Sequence, residues 1–421
     1  MNVLVFNPGS NSLKAGIVSC SAKQRSASGS TKLIEIIVEG IGKQPKLSVY
    51  DGKRIAHSEP IAAKDLAEAA TSILTWFDSR ATSAGLQWNL RDVNCVGIRV
   101  VHGGSGFTKP TAMTSEVESA IRELTKWAPL HNRRSLEIVP PLRRQFHDVP
   151  LYAVFDTAFH TTIPPKARYY PIPYELSQKH DIRRHGFHGI SHRYLMERYA
   201  AIVNESSDKL NLVTMHLESG CSVTAIAGGK SVDNTMGLTP LEGLMMGTRS
   251  GDVDPSLVAF LMQQEHLDPA DVMEILEKKS GLLGVSGKSL DTRILMLDYD
   301  TEERVRLAME MFSYRVLKAV GAYLAALGGA HAVIFGGGIA ENTALVRQRV
   351  CDGLRWCGLE MDPEQNRALI DVEGRLSTAS SPIQAYVIPA EETLQIAYEC
   401  CQALEAGGAN KATADVFYQA L

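Results

Sequence analysis

A chain of 421 residues is too long for one hydrophobic core, and at about 150 residues per domain it predicts two domains or three. Its 45% hydrophobic and 21% charged residues suit a globular protein and exclude a disordered or fibrous one. With 43 basic against 47 acidic residues the net charge is -4, which gives no general attraction to nucleic acid or to an anionic membrane.

No apolar run reaches the roughly 20 residues needed to cross a bilayer. The opening MNVLVFNPGSNS has no basic leader and meets turn residues at once, so no secretory signal is expected. Seven cysteines, at 20, 95, 221, 351, 357, 400 and 401, form no CxxC pair. They read as buried or incidental thiols in a reducing compartment, which makes a cytoplasmic location the expectation.

In chain order, Asn2 to Phe6 and Leu13 to Val18 read as strands around a polar turn, Asn7 to Ser12. Lys46 to Glu59 reads as a hairpin and Lys64 to Arg80 as a helix. Val96 to Val101 is a buried strand, and Thr114 to Trp127 a helix with Ser115 as its cap. Tyr152 to Phe155 is a strand that delivers Asp156 at its end. Ile163 to Arg184 shows no period and is expected to be a long surface excursion. Leu212 to His216 and Ser222 to Ala227 repeat the strand, polar turn, strand pattern of the N-terminus, which predicts two related α/β halves. Arg304 to Leu327 is a long helix, Ala332 to Phe335 a strand, and Gly336-Gly337-Gly338 a loop opening the next helix. A final helix runs from near Pro389 through Cys401, with frayed residues beyond.

The carboxyl ends of strands are where ligands gather in open α/β sheets. There the turn Asn7 to Ser12 offers backbone N–H groups and hydroxyls for phosphate oxygens, although its residues equally suit a plain hairpin. Lys14 either adds a cation or faces solvent. The triglycine at 336–338 allows an anion or a nucleotide edge to approach, or simply a close strand–helix crossing. It matches neither the GxxxxGK[ST] nor the GxGxxG pattern. Arg99, inside an apolar strand, must meet a carboxylate or a bound anion. Arg249, framed by Gly247 and Gly251, suits a phosphoryl or carboxylate group, or a structural ion pair. Asp156 is a Mg ligand or a helix cap. His188 or His216 can donate to a transferred phosphoryl; a zinc site at His188 and His192 is weak. Together these residues point to a phosphate-handling α/β protein.

Seven segments in order, NPGSNSLK at 7–14, RVVHGG at 99–104, APLHN at 128–132, FDTAFH at 155–160, GFHGISH at 186–192, TMGLTPLEGLMMGTRSGDVDP at 235–255 and GGGIAEN at 336–342, resemble the acetate kinase family. That family belongs with the sugar kinases, heat-shock chaperone ATPases and actin. The resemblance implies two actin-like (ribonuclease H-like) α/β domains facing across a cleft: residues 1–155, residues 156–385, and a C-terminal helix within 386–421 that returns to the first. It implies transfer of a phosphoryl group from ATP to acetate with Mg2+, or Mn2+ in its place, in a homodimer that binds neither nucleic acid nor membrane.

Carried over by position, the resemblance makes Asp156, Arg99, Arg249 and His188 the catalytic set. It makes Asn7, Ser10, Ser12, Lys14, His216, Gly220, Asp291, Arg293 and Gly338 the nucleotide set, and Asn7 with Glu392 the metal set. Arg99, Val101, Leu130, Phe187 and Pro240 would bind the short acid. Several positions depart from the family pattern: Glu218 and Ser219 in place of glycine and asparagine after His216-Leu217, Ala340 in place of a glycine, Arg133-Arg134 in place of two prolines, and Leu290 and Thr292 around Asp291. They leave open a non-ATP donor such as pyrophosphate and a catalytically weak nucleotide-binding protein; a propionate-preferring kinase stays open separately, because one extra methylene changes binding by only about 1–3 kcal/mol. Replacing Arg99 or Arg249 is expected to cut turnover with the fold intact.

Overall fold

The computed structural model describes residues 1–9, 11–80, 89–127 and 129–407, with the backbone alone at Arg80, Lys126, Pro129 and Leu130. The chain forms two compact units, one joining Met1–Ala158 to the segment from Glu391 onward, the other Phe159–Ala390.

The first unit holds an eight-stranded sheet of β1 (Asn2–Pro8), β2 (Ser12–Ser19), β3 (Thr31–Glu39), β4 (Lys46–Asp51), β5 (Arg54–Pro60), β6 (Cys95–Val100), β7 (Thr111–Ala112) and β8 (Leu151–Phe155), in the order 5-4-3-2-1-6-8-7. β1 pairs antiparallel with β2, β2 with β3, and β1 runs parallel to β6 and β6 to β8. The second unit holds β9 (Asn211–Leu217), β10 (Cys221–Ala227), β11 (Lys230–Asn234), β12 (Ala332–Gly336), β13 (Gly374–Arg375) and β14 (Gln384–Val387), in the order 11-10-9-12-14-13. Here too an antiparallel trio, β11-β10-β9, continues into parallel β12 and β14. The two sheets therefore share one five-strand core, and the strand, turn, strand likeness of residues 2–18 and 212–227 is the opening hairpin of each.

The expected strands and long helices are present, with small shifts at their ends. The helix Ser115–Glu123 is capped by Thr114, not Ser115: the Thr114 hydroxyl accepts from the Val117 N–H at 3.3 Å. The stretch expected to be irregular carries two short helices, Pro165–Arg168 and Tyr174–His180. β3 is not among the expected strands, yet Ile34, Ile36 and Val38 are buried on one face with the period of two that a strand requires. The expected fraying past the last helix falls among residues 408–421, outside those described.

The last helix, Glu392–Gly407, packs on β1 and β6 of the first unit. It can do so because Gly16 and Gly97 lack side chains. A Cβ at Gly97 would lie 2.8 Å from both Cys400 Sγ and Ile396 Cγ2, and one at Gly16 2.9 Å from Thr393 Cγ2. That close approach brings Glu392, its first residue, to the carboxyl end of β1. All seven cysteines are unpaired; six are buried and Cys357 is partly exposed, and burial raises the Cys95 thiol to about 12, which makes it inert. Among the described residues no helix is long and apolar enough to cross a membrane.

Candidate functional site

In the first unit, four of the expected residues form one hydrogen-bonded group at the carboxyl ends of β1, β6 and β8. Arg99 and Asp156 come from adjacent parallel strands, since Val100 is in register with Phe155. Arg99 Nε lies 3.2 and 3.1 Å from the two Asp156 oxygens, and its Nη2 2.6 Å from Oδ2. Its Nη1 donates to Asn7 Oδ1 at 3.0 Å and lies 3.7 Å from Glu392 Oε2. Asn7 Nδ2 in turn donates to Glu392 at 2.7 Å. Asp156 is fully buried, so its guanidinium partner is what makes an ionised carboxylate tolerable there. The structure thus answers the question raised by an arginine in an apolar strand: Arg99 meets a carboxylate.

The turn from Asn7 to Ser12 is a hairpin, with Gly9 N–H donating to Ser12 O at 2.9 Å. Ser10 lies outside the described residues. Lys14 stands opposite Asn7 in the ladder, hence on the same face, and is exposed. Arg134, one of the departures, reaches this turn: its Nη1 lies 3.3 Å from the Gly9 carbonyl oxygen, and burial lowers its pKa. Val101 is buried just past β6, whereas the Leu130 side chain is outside the description.

In the second unit the expected residues gather around Gly220. A Cβ built there would sit 3.3 Å from Arg249 Nη1 and 3.3 Å from His188 Nε2. Arg249 Nη1 donates to the Pro240 carbonyl at 2.9 Å and approaches Met246 Sδ at 3.4 Å. Among the described residues it reaches no carboxylate at ion-pair distance, and burial lowers its pKa. His188 precedes the helix Gly189–Ile202 and has φ of 57°, a left-handed conformation that costs of order 1–3 kcal/mol for a non-glycine residue. Its ring packs 4.3 Å, centroid to centroid, from that of His216. Phe187, fully buried, fixes the approach to His188 through its carbonyl, which His160 Nε2 meets at 3.0 Å.

His216 ends β9 with Nδ1 2.8 Å from Ser191 Oγ and Nε2 3.6 Å from Glu218 Oε2. Glu218 is 61% exposed, so this departure places a solvated carboxylate beside the histidine. The triglycine loop packs on the same hairpin: a Cβ at Gly337 (φ 87°) would lie 2.7 Å from Leu217 O. Gly338 opens the helix Gly338–Asn342 with no atom within 4 Å of a built Cβ. Ala340 lies inside that helix and has no positive φ, so glycine is not required there. Asp291 caps the helix Thr292–Leu297 and pairs with the exposed Arg293 at 2.6 Å, away from the Gly220 group in the contacts it makes. Thr292 is buried and hydrogen-bonds Thr343 at 2.9 Å.

Two features are invisible in residue type alone. Arg347 is fully buried, yet all five of its N–H groups are used: on Asn366 Oδ1 and on the carbonyls of Ala340, Glu341, Asn366 and Leu369, at 2.7 to 2.9 Å. Burial lowers it to about 10. It holds the end of the glycine-loop helix. The second is Ser222, whose hydroxyl lies 2.9 Å from His188 Nδ1 and 2.8 Å from His192 Nε2. His188 and His192 are thus linked through a serine hydroxyl.

The two groups offer an arginine–carboxylate–amide cluster in one unit and an arginine–histidine pair over a glycine in the other. Among the described residues no group of three or more His, Cys, Asp or Glu side chains could hold a metal. Mg2+ seldom needs such a cage, being held by one or two carboxylates plus substrate phosphates, and Glu392, Asp156 and the Asn7 amide oxygen are oxygen donors of that kind.

Comparison with known proteins follows the same line. The model of the acetokinase family matches residues 2–398. An acetate kinase of Solibacter usitatus is 42% identical over 402 residues, covering 94% of this chain and 97% of that protein. One from Methanosarcina thermophila is 40% identical over 407 residues, covering 96% and 97%. Among solved structures, Porphyromonas gingivalis acetate kinase superposes with a TM-score of 0.87 at 36% identity, covering 96% of this chain and 99% of that one. A propionate kinase from Francisella tularensis gives 0.83 at 34%, covering 94% and 98%. A family model matched over residues 2–398 and near full-length similarity to acetate kinases lead to one conclusion: the chain belongs to the acetokinase family.

Proposed function

We propose that this protein is an acetate kinase, transferring the γ-phosphoryl group of ATP reversibly to acetate to give acetyl phosphate and ADP. The observation that carries the reading is Arg249. A half-buried guanidinium with no carboxylate at ion-pair distance among the described residues converges with His188 Nε2 over a glycine, which suits an anion arriving there. In this reading an acetate oxygen forms the new bond to phosphorus as the bond to the ADP oxygen breaks. No covalent enzyme intermediate is required.

Arg249 offsets charge on the equatorial phosphoryl oxygens, and His188 donates a hydrogen bond to them. Arg99, oriented by Asp156 and Asn7, attracts the carboxylate. Val101, Leu130, Phe187 and Pro240 would enclose its methyl group. His216, Gly220, Gly338, Asp291 and Arg293 serve the nucleotide, with Ser10, Ser12 and Lys14 on its phosphates. Glu392, Asp156 and Asn7 would hold Mg2+, which would supply positive charge against the nucleotide phosphates. The same reading carries a cytoplasmic homodimer.

Propionate is a second substrate to weigh, because one methylene shifts binding by only about 1–3 kcal/mol and a propionate kinase shares the fold closely. The test is hydroxamate detection of acyl phosphate with Mg2+, setting acetate, propionate and butyrate against ATP, GTP and pyrophosphate. Acetate with ATP should give the strongest signal. Folded protein silent with every nucleotide would overturn the reading, and a signal with pyrophosphate alone would reassign the donor.

A further inference from the structure

The histidine nearest Arg249 does not stand alone. β9 and β10 pair so that Thr214 lies opposite Thr224 and His216 opposite Ser222, which puts Thr214, His216, Ser222 and Thr224 on one face of the sheet. The helix Gly189–Ile202 contributes Ser191 and His192 to that face. The result is a chain of contacts: Thr214 Oγ1 to His192 Nδ1 at 2.7 Å, His192 Nε2 to Ser222 Oγ at 2.8 Å, and Ser222 Oγ to His188 Nδ1 at 2.9 Å. Thr214, His192 and Ser222 are all fully buried.

Donor counting gives this chain a direction. The Thr214 hydroxyl has one hydrogen and, among the described residues, one side-chain partner, His192 Nδ1. If Nδ1 carried a proton, the threonine hydrogen would be buried without an acceptor, at a cost of about 1–3 kcal/mol. Nδ1 is therefore the acceptor. Burial holds His192 neutral, well below its ordinary pKa, so its single N–H is on Nε2 and is donated to Ser222 Oγ. Ser222 then has one hydrogen left and one remaining partner, His188 Nδ1. A neutral His188 that accepts at Nδ1 carries its proton on Nε2, the atom that faces Gly220 beside Arg249. The neighbouring His160 shows the same logic independently: Nε2 meets the Phe187 carbonyl, which can only accept, so Nδ1 accepts from Ser231 Oγ at 2.8 Å.

We propose that Thr214, His192 and Ser222 are positioning residues that fix His188 in the Nε2–H tautomer, so that a neutral imidazole presents a hydrogen-bond donor to the anion at Gly220. The tautomer rests on these contacts and on the burial of His192; its value for phosphoryl transfer rests on the kinase reading above. A neutral donor has a clear advantage at this place. An imidazolium would add a second positive charge next to the Arg249 guanidinium and the adjoining His216 ring. Fixing the proton on Nε2 supplies the donor without that charge.

Histidine-selective 15N correlation spectra of the intact protein test the tautomer directly, the His188 signals being assigned by their loss in His188→Gln. At pH 7.5 the expected result is a protonated Nε2 and an unprotonated Nδ1 on His188, and the same on His192. Proton on Nδ1 of either ring would overturn the proposal, whatever the enzyme assay shows. Thr214→Val is the functional probe, because it removes one hydrogen three contacts away from Nε2 and keeps the side-chain volume. It should yield a mixture of His188 tautomers and lower kcat by about tenfold, the upper range for one hydrogen bond, with the acetate KM little changed. Thr214→Ser should restore both spectrum and rate. A Thr214→Val protein with the wild-type His188 spectrum would refute the relay. A changed spectrum with no phosphoryl transfer in any variant, wild type included, would leave the tautomer standing and sink the kinase reading instead.

Discussion

Asn7 and Glu392, separated by 385 positions in the chain, share a hydrogen bond of 2.7 Å from the asparagine amide to the glutamate carboxylate. The same asparagine accepts from Arg99 through its other end, so its orientation is fixed from both sides. Glu392→Ala should therefore disturb more than one group. We expect turnover to fall by about 100-fold or more and the Mg2+ concentration needed for half-maximal rate to rise, measured by titrating metal at saturating substrates.

Arg99 and Arg249 should differ in what their removal costs. Arg249 is held by one carbonyl and a thioether, and burial already works against its charge. Arg249→Ala should lower kcat/KM by about 100- to 1000-fold with little change in unfolding midpoint. Arg99→Ala strips the guanidinium from a fully buried Asp156 and should also cost about 3–5 kcal/mol of stability. Urea denaturation of both variants separates the cases. This departs from the sequence-based expectation that either arginine could be lost with the fold intact, because residue type did not show which one was paired.

Glu218 puts a negative charge 3.6 Å from His216 Nε2. Its exposure limits the effect, so Glu218→Gly should lower the KM for ATP by roughly two- to fivefold at low salt. The gain should shrink as ionic strength rises, which initial rates at 20 and 300 mM KCl would reveal, by about the screening expected of an exposed charge. An ATP KM that stays constant would show that the carboxylate does not meet the donor.

His160 and His192 are buried neutral, with His160 lowered to about 4 by desolvation. In the unfolded chain each titrates near its ordinary value of about 6.5. Between about pH 6.5 and 4 the unfolded state binds the extra protons, so stability falls as pH falls through that window. One such histidine gives a slope of about 1.4 kcal/mol per pH unit, and the pair more. Urea midpoints at pH 7.5 and 5.5 should differ accordingly, and His160→Gln should flatten the dependence.

Much of the candidate site is legible in the sequence because its residues sit at or beside the ends of elements: Arg99 and His216 next to last in β6 and β9, Asp156 just after β8, and Glu392 at the start of the last helix. Turn chemistry and apolar runs reveal such ends. The relay behind His188 is not legible in that way. It depends on the register of two strands and on a helix laid across them, and Thr214, Ser222 and His192 resemble ordinary core polar residues until those pairings are known. Arg347 is hidden for a related reason. In Val346-Arg347-Gln348-Arg349 it resembles a surface arginine, and only the fold reveals five acceptors turned toward it. The Ala340 departure lost its weight similarly, since its backbone is helical.

The first unit is assembled from both ends of the chain, with the entire second unit inserted between Ala158 and Glu391. Synthesis proceeds from the N-terminus, and domains tend to fold as they emerge. Gly16 and Gly97 must then wait, uncovered, until the helix beginning at Glu392 arrives. A growing chain can complete the unit that bears His188 and Arg249 before it can complete the one that bears Arg99. The carboxylate that orients Asn7 is among the last described parts to be made, so a truncated product keeps its strands but lacks the group that finishes the first site.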